Sequence, residues 1–391
     1  MRRMGLVGEG SNALTTYLSA TSRLLEDPVS NIYVGNSAAG KSYTMLAAMR
    51  LIPDEEKIVR QRFSAQAIMY TPLEFEHKVV VILERTGAEA GAYNIRTIQS
   101  EKDVVIEVTH RDTSGNFGTA EFRKKGPTAF ITSTVNPDID AQDLSRAFVL
   151  HPDESEAQTE AILDSQLEEY DFPSAELELW HDAQRCLARV PVAVPGRLGK
   201  AILHFMKARA RPLPPRLRRD WRHIMALIQA SALLHQYQRP PSETGKILPD
   251  LRDYYIARVI AREVFDQSVL RAADPKVREL AGAVRLLYSQ AGSSIKADVI
   301  TSHLRWGKTT VYGHLRAAQE AGLVQEDPTA HYAYMPTLSP KAGHLGIVSD
   351  AGLLPTVDEI ITFDPELGEG FAVIDPLTGE EMEDLPDEGK K

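Results

Sequence analysis

Gly35-Asn36-Ser37-Ala38-Ala39-Gly40-Lys41-Ser42 has the spacing G-x-x-x-x-G-K-S, and each residue type in it suits a phosphate chain. Glycines let backbone N–H groups turn inward on a β-phosphate, and the start of a following helix adds its dipole. Lys41 reaches the β/γ-phosphates, the Ser42 hydroxyl ligates Mg²⁺, and Tyr43 follows directly at the same site. The expected ligand is ATP with Mg²⁺; the alternative is a structural Gly/Ser loop.

Hydrolysis needs further groups near the phosphates. The apolar run Val79 to Leu83 ends in Glu84, a carboxylate able to orient or deprotonate an attacking water, or simply to cap a strand at the surface. Thr132-Ser133-Thr134-Val135-Asn136 ends another β-prone run, and either Thr134 or Asn136 is suited to a γ-phosphate or water. Arg146 stands ahead of the apolar run Ala147 to Leu150, as a surface arginine or as a cation for the transferred phosphoryl group.

The elements that must hold these groups read as strand, loop and helix. A helix over Ser11 to Leu25 precedes a strand at Asn31 to Val34, and Ser42 to Leu51 is helical up to Pro53. Val79 to Leu83, an unbroken apolar run, is the pattern of a strand buried on both faces of a parallel sheet, and Thr128 to Thr132 is a third strand. Between them Asp103 to His110 and Thr119 to Arg123 alternate around Asp112-Thr113-Ser114-Gly115-Asn116, which predicts a β-hairpin. Helices are expected over Glu154 to Leu167, Ala175 to Leu187, Arg219 to Tyr237 and Asp250 to Leu270.

In this order the residues resemble an AAA+ ATPase of the minichromosome-maintenance-like (helicase) branch, as found in replication proteins of phages and mobile elements. The resemblance spans roughly Gly5 to Tyr237. It rests on the phosphate loop, the strand with Glu84, the hairpin before the third strand, Leu144-Ser145-Arg146-Ala147-Phe148 and Arg218-Arg219-Asp220-Trp221-Arg222. The implied fold is α/β, a P-loop AAA+ domain with a parallel sheet and an inserted hairpin, followed by an α-helical lid. The resemblance implies a hexamer or other homo-oligomer in which Arg146 acts on the neighbouring subunit's site. It implies Arg219 or Arg222 as a nucleotide-sensing arginine of the lid, and hairpins facing a central channel. Leu83 departs from the family, where an aspartate is usual, and puts the rate of hydrolysis in question. His110, Arg111, Asn116 and Phe117 near the hairpin tip, with Arg123, Lys124 and Lys125 on the returning strand, suit single-stranded DNA through phosphate neutralisation and base stacking. An ordinary charged hairpin is the competing reading.

A second DNA signal begins at Pro275, where helix, helix, turn, helix and β-ribbon form a C-terminal winged helix-turn-helix pattern. Ala297, Ile300 and Leu304 bury one helix; Val311, Leu315, Ala318 and Leu323 bury the next. Lys308, Thr309, Thr310, Tyr312, His314 and Arg316 are left for phosphates and base edges of duplex DNA, or for a docking protein. The expected organisation is an ATPase core with N-terminal helix at 1–150, lid and connecting helices at 151–270, winged helix at 271–337 and an acidic, partly flexible tail at 338–391.

The net charge of −10 does not oppose a DNA partner once it is mapped. Ten acids between Asp364 and Glu388 against Lys390 and Lys391 give the last 28 residues a net −8, leaving −2 for the other 363. That tail can mimic DNA, restrain non-specific binding, or aid solubility. Arg197 to Arg222 holds nine Lys/Arg against Asp220 alone, a DNA path or a solvated face. The single cysteine, Cys186, excludes an internal disulfide and a cysteine-rich zinc module, and is expected in a helix core. The absence of a signal-like stretch or an apolar run of spanning length predicts a cytoplasmic protein, associated with the nucleoid when DNA-bound. An ATP-driven DNA motor in replication, with possible replication partner proteins, is the leading expectation. An ATP-switched DNA-binding regulator or loader and a non-enzymatic scaffold are the alternatives.

Overall fold

The structure, a computed structural model, describes residues 1–85, 89–111, 117–136, 140–144, 146–209, 217–239, 242–270, 275–320, 324–327, 330–336 and 353–382. The chain divides into two compact units. One comprises Met1–Pro195, Trp221–Ala261 and Phe371–Lys391; the other comprises Gly196–Asp220 and Arg262–Gly370.

The first unit opens with α1 (Gly10–Thr21), β1 (Ser30–Val34), α2 (Lys41–Met49), β2 (Lys57–Arg60), α3 (Ala65–Tyr70) and β3 (Val79–Ile82). It continues with α4 (Glu89–Glu101), β4 (Asp103–Arg111), β5 (Phe117–Lys125), β6 (Ala129–Thr134), α5 (Ala141–Leu144), β7 (Ala147–Leu150), α6 (Glu156–Ser165) and α7 (Ser174–Cys186). Five strands form a sheet in the order β2-β3-β6-β1-β7, and every pairing is parallel. Its strands β1, β3, β6 and β7 are buried throughout, which is why their sequences are apolar runs rather than alternating ones. Ile58, Ile68, Met69, Phe75, Val80, Ile82, Ile95, Ile98, Val104 and Phe130 form one core cluster, in which α3 and α4 meet strands β2, β3 and β6.

Helix α1 meets the sheet through polar groups as well as apolar ones. Thr15, Thr16 and Ser19 are fully buried, and the hydroxyls of Thr16 and Tyr33 lie 2.7 Å apart. Ser19 Oγ donates to Asn31 Oδ1 at 3.2 Å, so Asn31 and Tyr33 of β1 are satisfied by the helix that covers them, while Ser30 Oγ accepts from the Phe130 N–H of β6 at 3.1 Å.

Between α4 and β6 the chain makes an antiparallel pair, β4 with β5, in register from Asp103↔Lys125 to Arg111↔Phe117. The first strand starts at Asp103 as expected and runs one residue longer, and the second is longer by two residues at each end. Sequence periodicity did not reveal β2 and α3, which are too short to show a period, or α4, whose apolar residues are interrupted by polar ones.

Next in the chain come α8 (Gly196–Arg209), α9 (Leu217–Leu234), α10 (Leu251–Leu270) and α11 (Pro275–Ala291). They are followed by β8 (Ile295–Lys296), α12 (Ala297–Leu304), α13 (Lys308–Glu320), β9 (Val324–Glu326) and β10 (Ala333–Pro336). Strands β8, β10 and β9 form a small antiparallel sheet. Helices α11, α12 and α13 close on Val277, Leu280, Val284, Ile300, Val311, Leu315 and Ala318, with Leu304 partly buried beside them. Leu323 lies outside the described residues.

Of the acidic tail expected at 338–391, residues 353–382 are described. Residues 353–382 carry α14 (Val357–Phe363) and the paired strands β11 (Val373–Ile374) and β12 (Glu381–Met382). Thr356 and Glu359 cap α14 reciprocally, and Leu353, Leu354, Val357 and Ile360 are buried. An apolar set at helical spacing is concealed there by an acidic average composition. Cys186 is exposed, contrary to the core position expected for it, because α7 turns His181 and Gln184 inward instead.

Phe130 is buried at the centre of the sheet. Phe130→Ala is expected to destabilise the first unit by about 3–5 kcal/mol, read as a lower urea midpoint for the loss of its secondary structure.

Candidate nucleotide site

Strand β1 delivers the chain into the loop at Gly35, and α2 begins at Lys41. Two left-handed residues shape the turn, Ala38 at φ +68° and Gly40 at φ +79°. A Cβ on Gly40 would meet nothing within 4 Å, so glycine is set there by its dihedral, not by crowding. Crowding applies at Gly35, where a Cβ would stand 2.8 Å from Glu154 Oε1.

Lys41 is buried, and its ammonium donates to the carbonyl of Gly35 at 2.8 Å and to that of Asn36. Burial pushes its pKa down, and the nearby Glu154 carboxylate opposes that. Ser42 and Tyr43, the next two residues of α2, are exposed, as are Asn36, Ser37 and Ala38. The Tyr43 hydroxyl donates to the carbonyl of Met4 at 3.3 Å, bringing the N-terminal turn to the loop.

Parallel register gathers the other groups. Val34 pairs with Thr134 and Ile82 pairs with Thr132, so the ends of β1, β6 and β3 lie side by side, neighbours about 4.8 Å apart. Thr134 is buried at the mouth of the loop and its hydroxyl accepts from the Asn136 N–H at 3.0 Å, while Asn136 is exposed one turn further on. Glu84 follows β3 on the other side of β6. It is exposed, and one of its oxygens accepts from Arg62 Nη2 at 2.6 Å and Nε at 3.2 Å. Leu83 exposes its carbonyl to Ser133 Oγ at 2.5 Å and offers no carboxylate.

Arg146 is elsewhere. It directly precedes Ala147, which pairs with Ser30 at the start of β1. Ser30 and Gly35 are about 16 Å apart along an extended strand. Its guanidinium donates to Ser100 Oγ at 3.0 Å and to the Gln142 carbonyl at 2.9 Å. The loop and Arg146 therefore occupy opposite edges of one sheet.

Two neighbours of the site escaped the sequence reading. Glu154 accepts from the Asn36 N–H at 2.7 Å and from the Asn36 amide, and these bonds hold its carboxyl below the usual range. It comes four residues after β7, adjacent to β1, a placement that no motif marks. Arg85 donates from its backbone to the Ser133 carbonyl at 2.7 Å and pairs with the buried Asp143, which also lies 3.6 Å from Arg96 Nε. This cluster ties the residue after Glu84 to α5, the helix that leads to Arg146.

The remaining expected residues are not assembled with the loop. Lys124 is a correction to the expected DNA face: it is buried, its ammonium spent on the carbonyls of Thr71 and Leu73 and over the Phe75 ring. The alternation of β5 turns it inward while Arg123 and Lys125 face out, Arg123 paired with Asp103. The Cα positions of Arg111 and Phe117 are paired, but their side chains and that of His110, and residues 112–116 with Asn116 among them, lie outside what is described. On α9, Arg222 is exposed and the Arg219 side chain lies outside the described residues. On α13, Lys308, Thr309, Thr310, Tyr312 and Arg316 are exposed, Lys308 pairs with Asp298 at 2.9 Å, and His314 Nδ1 lies 2.7 Å from the Thr310 carbonyl. Among the described residues no group of three or more His, Cys, Asp or Glu is placed to hold a metal ion, and no helix is long and apolar enough to cross a membrane.

A five-stranded parallel sheet with this loop at the end of β1 defines a P-loop domain of the α/β class. Residues 5–172 match a family model described as the MTBMA_p00010 P-loop domain. Among solved structures, the full-length MCM homolog from Methanopyrus kandleri is similar over 67% of this chain at 12% identity and a TM-score of 0.42. The match spans 56% of that protein's chain. No curated protein matches the sequence.

Glu154 fastens the shoulder of the loop through Asn36. Glu154→Ala is expected to weaken nucleotide binding several-fold, whereas Glu154→Gln, which retains an acceptor, loses less; titration with a fluorescent ATP analogue measures both.

Proposed function

We propose that this protein is an ATPase that couples ATP hydrolysis to movement along DNA, working as a ring-like homo-oligomer in the manner of minichromosome-maintenance-like helicases. The observation that carries the reading is the convergence of the phosphate loop, Thr134 and Glu84 on one edge of the sheet, with Arg146 on the opposite edge. The loop's left-handed residues and its position at the N-terminus of α2 suit a triphosphate, and Lys41 has only to leave two loop carbonyls to reach it. Ser42 is the residue that would hold Mg²⁺, which supplies charge neutralisation at the β/γ-phosphates when bound.

In this reading Glu84 orients the attacking water or takes its proton, and Thr134 and Asn136 contact the γ-phosphate or that water. Glu84 must first part from Arg62 to face that water. Arg146 cannot serve the loop of its own sheet, and it serves a neighbouring copy's. With no acid at position 83, Ser42 is the side chain that would hold the metal, and the rate of hydrolysis is what Leu83 puts in question. Arg219 or Arg222 completes the nucleotide contacts. The β4–β5 ribbon meets single-stranded DNA through Arg111 and Phe117, and the helix α13 of a winged helix-turn-helix meets duplex through Lys308, Thr309, Thr310, Tyr312, His314 and Arg316. The pairing of Lys308 with Asp298 favours the duplex reading less than the exposure of its neighbours does. Replication of a phage or mobile element is the process this activity fits, in the cytoplasm and on the nucleoid.

Steady-state turnover with and without single-stranded DNA tests the reading. DNA-stimulated hydrolysis, abolished by Lys41→Ala and reduced at least a hundredfold by Glu84→Gln in line with the usual loss of a general base, is the expected result. Tight ATP binding without turnover would sink the motor and favour an ATP-switched regulator. Arg146→Ala alone is expected to be inactive, and mixing it with Glu84→Gln protein should restore part of the activity, because some interfaces then combine an intact Glu84 with an intact Arg146. Normal hydrolysis by Arg146→Ala refutes the action in trans.

A further inference from the structure

Helix α8 contains Arg197, Lys200, Lys207 and Arg209 and no acidic residue, in a chain whose net charge is −10. Its apolar face is buried through Leu198, Ala201, Ile202 and Met206. Arg197, Lys200, His204 and Lys207 follow one another at i, i+3, i+7 and i+10, and all four are exposed. Such spacing aligns them in one stripe along the helix. Ten residues of helix cover about 15 Å. A nucleic-acid strand rising about 3.4 Å per phosphate presents about four phosphates over that length.

The acidic C-terminal segment bears on one end of this stripe. Asp364 accepts from Arg197 Nε at 3.0 Å and Nη2 at 2.5 Å, and Glu366 pairs with the same guanidinium. Phe363 lies against His204, ring centroids 4.6 Å apart. Around the helix, Glu359 pairs with Arg209 and caps α14 at the same time. The carboxylates take the planar, two-pronged contact on Arg197 that a phosphate would also take.

We infer that the Arg197–Lys200–His204–Lys207 stripe of α8 is a binding surface for the phosphate backbone of a DNA strand, and that Asp364 and Glu366 compete with the strand for Arg197. Strand binding engages Lys200 and Lys207 and displaces two carboxylates from an exposed arginine. Leu353, Leu354, Val357 and Ile360 are buried and Phe363 packs on His204 and Phe205, none of which requires the Arg197 pairs. The segment can yield Arg197 while remaining docked. This inference rests on the DNA-dependent reading above, and adds a contact separate from the β4–β5 ribbon and from α13.

The test is the salt dependence of binding of a fluorescent oligothymidylate by the full chain. With about 0.7 counterions released per phosphate contact on a single strand, Lys200→Ala/Lys207→Ala should lower the log–log slope by about 0.7 to 1.4 and weaken binding about fivefold or more near 0.1 M salt. Lys200→Arg/Lys207→Arg should restore both, which a purely structural role of the lysine stems would not do. Asp364→Asn/Glu366→Gln should bind more tightly, with a slope steeper by about 0.7, and adding Arg197→Ala should remove that gain. Wild-type binding whose slope is unchanged in every variant overturns this inference and leaves the DNA-motor reading standing. Failure of the wild type to bind overturns both. Binding of a polyglutamate peptide that the lysine substitutions weaken, with the DNA slope unaltered, overturns the inference in favour of an acidic protein partner.

Discussion

The position of β1 between β6 and β7 is the constraint on which the site depends. Because all pairings in the sheet are parallel, every strand ends on the same edge, and the loop after β1 opens between the ends of its two neighbours. Thr134 and Asn136 arrive from one side and Glu154 from the other. The same parallelism puts residues that precede a strand at the far edge, and so separates Arg146 from the loop by the length of β1. One hydrogen-bonding pattern thus gathers some charged groups and keeps another away. Buried polar bonds from Thr16 and Ser19 of α1 to Tyr33 and Asn31 tie β1 to the helix that covers it.

Electrostatics around the loop are arranged by pairing. Lys41 is buried on loop carbonyls, Glu154 occupies the Asn36 N–H, and Arg62 holds Glu84. The Glu154 and Arg62–Glu84 contacts are exposed and are exchanged at little cost, since water screens them in either state. The Arg85–Asp143 pair differs, for Asp143 is buried and Arg85 nearly so. Breaking that pair would strand a charge away from solvent, so the path from the end of β3 to α5 is held firmly.

The two charge excesses of the chain meet within one unit. The cationic helix α8 and the acidic segment from Glu359 to Glu366 are joined by ion pairs at Arg197 and Arg209. The overall charge of −10 is therefore a poor guide to what this protein binds: part of the acid serves to neutralise its own arginines, and cations remain exposed along α8 and α13.

Local chemistry was legible wherever one segment carries both the element and its purpose. The phosphate loop, the strands on either side of it, the helices α11 to α13 and the burial of Ala297, Ile300, Val311, Leu315 and Ala318 all follow from spacing along the chain, because a bound phosphate, a buried strand and an amphipathic helix each impose a short-range pattern. The inward turn of Lys124, the contact of Glu154 with Asn36, the pairing of Arg62 with Glu84 and the docking of α14 on α8 join residues 22 to 169 positions apart or depend on a one-residue alternation within β5. Such contacts leave no periodicity in the sequence. They are decided by strand register and helix packing, which set which side chains face each other only after the chain has closed on itself.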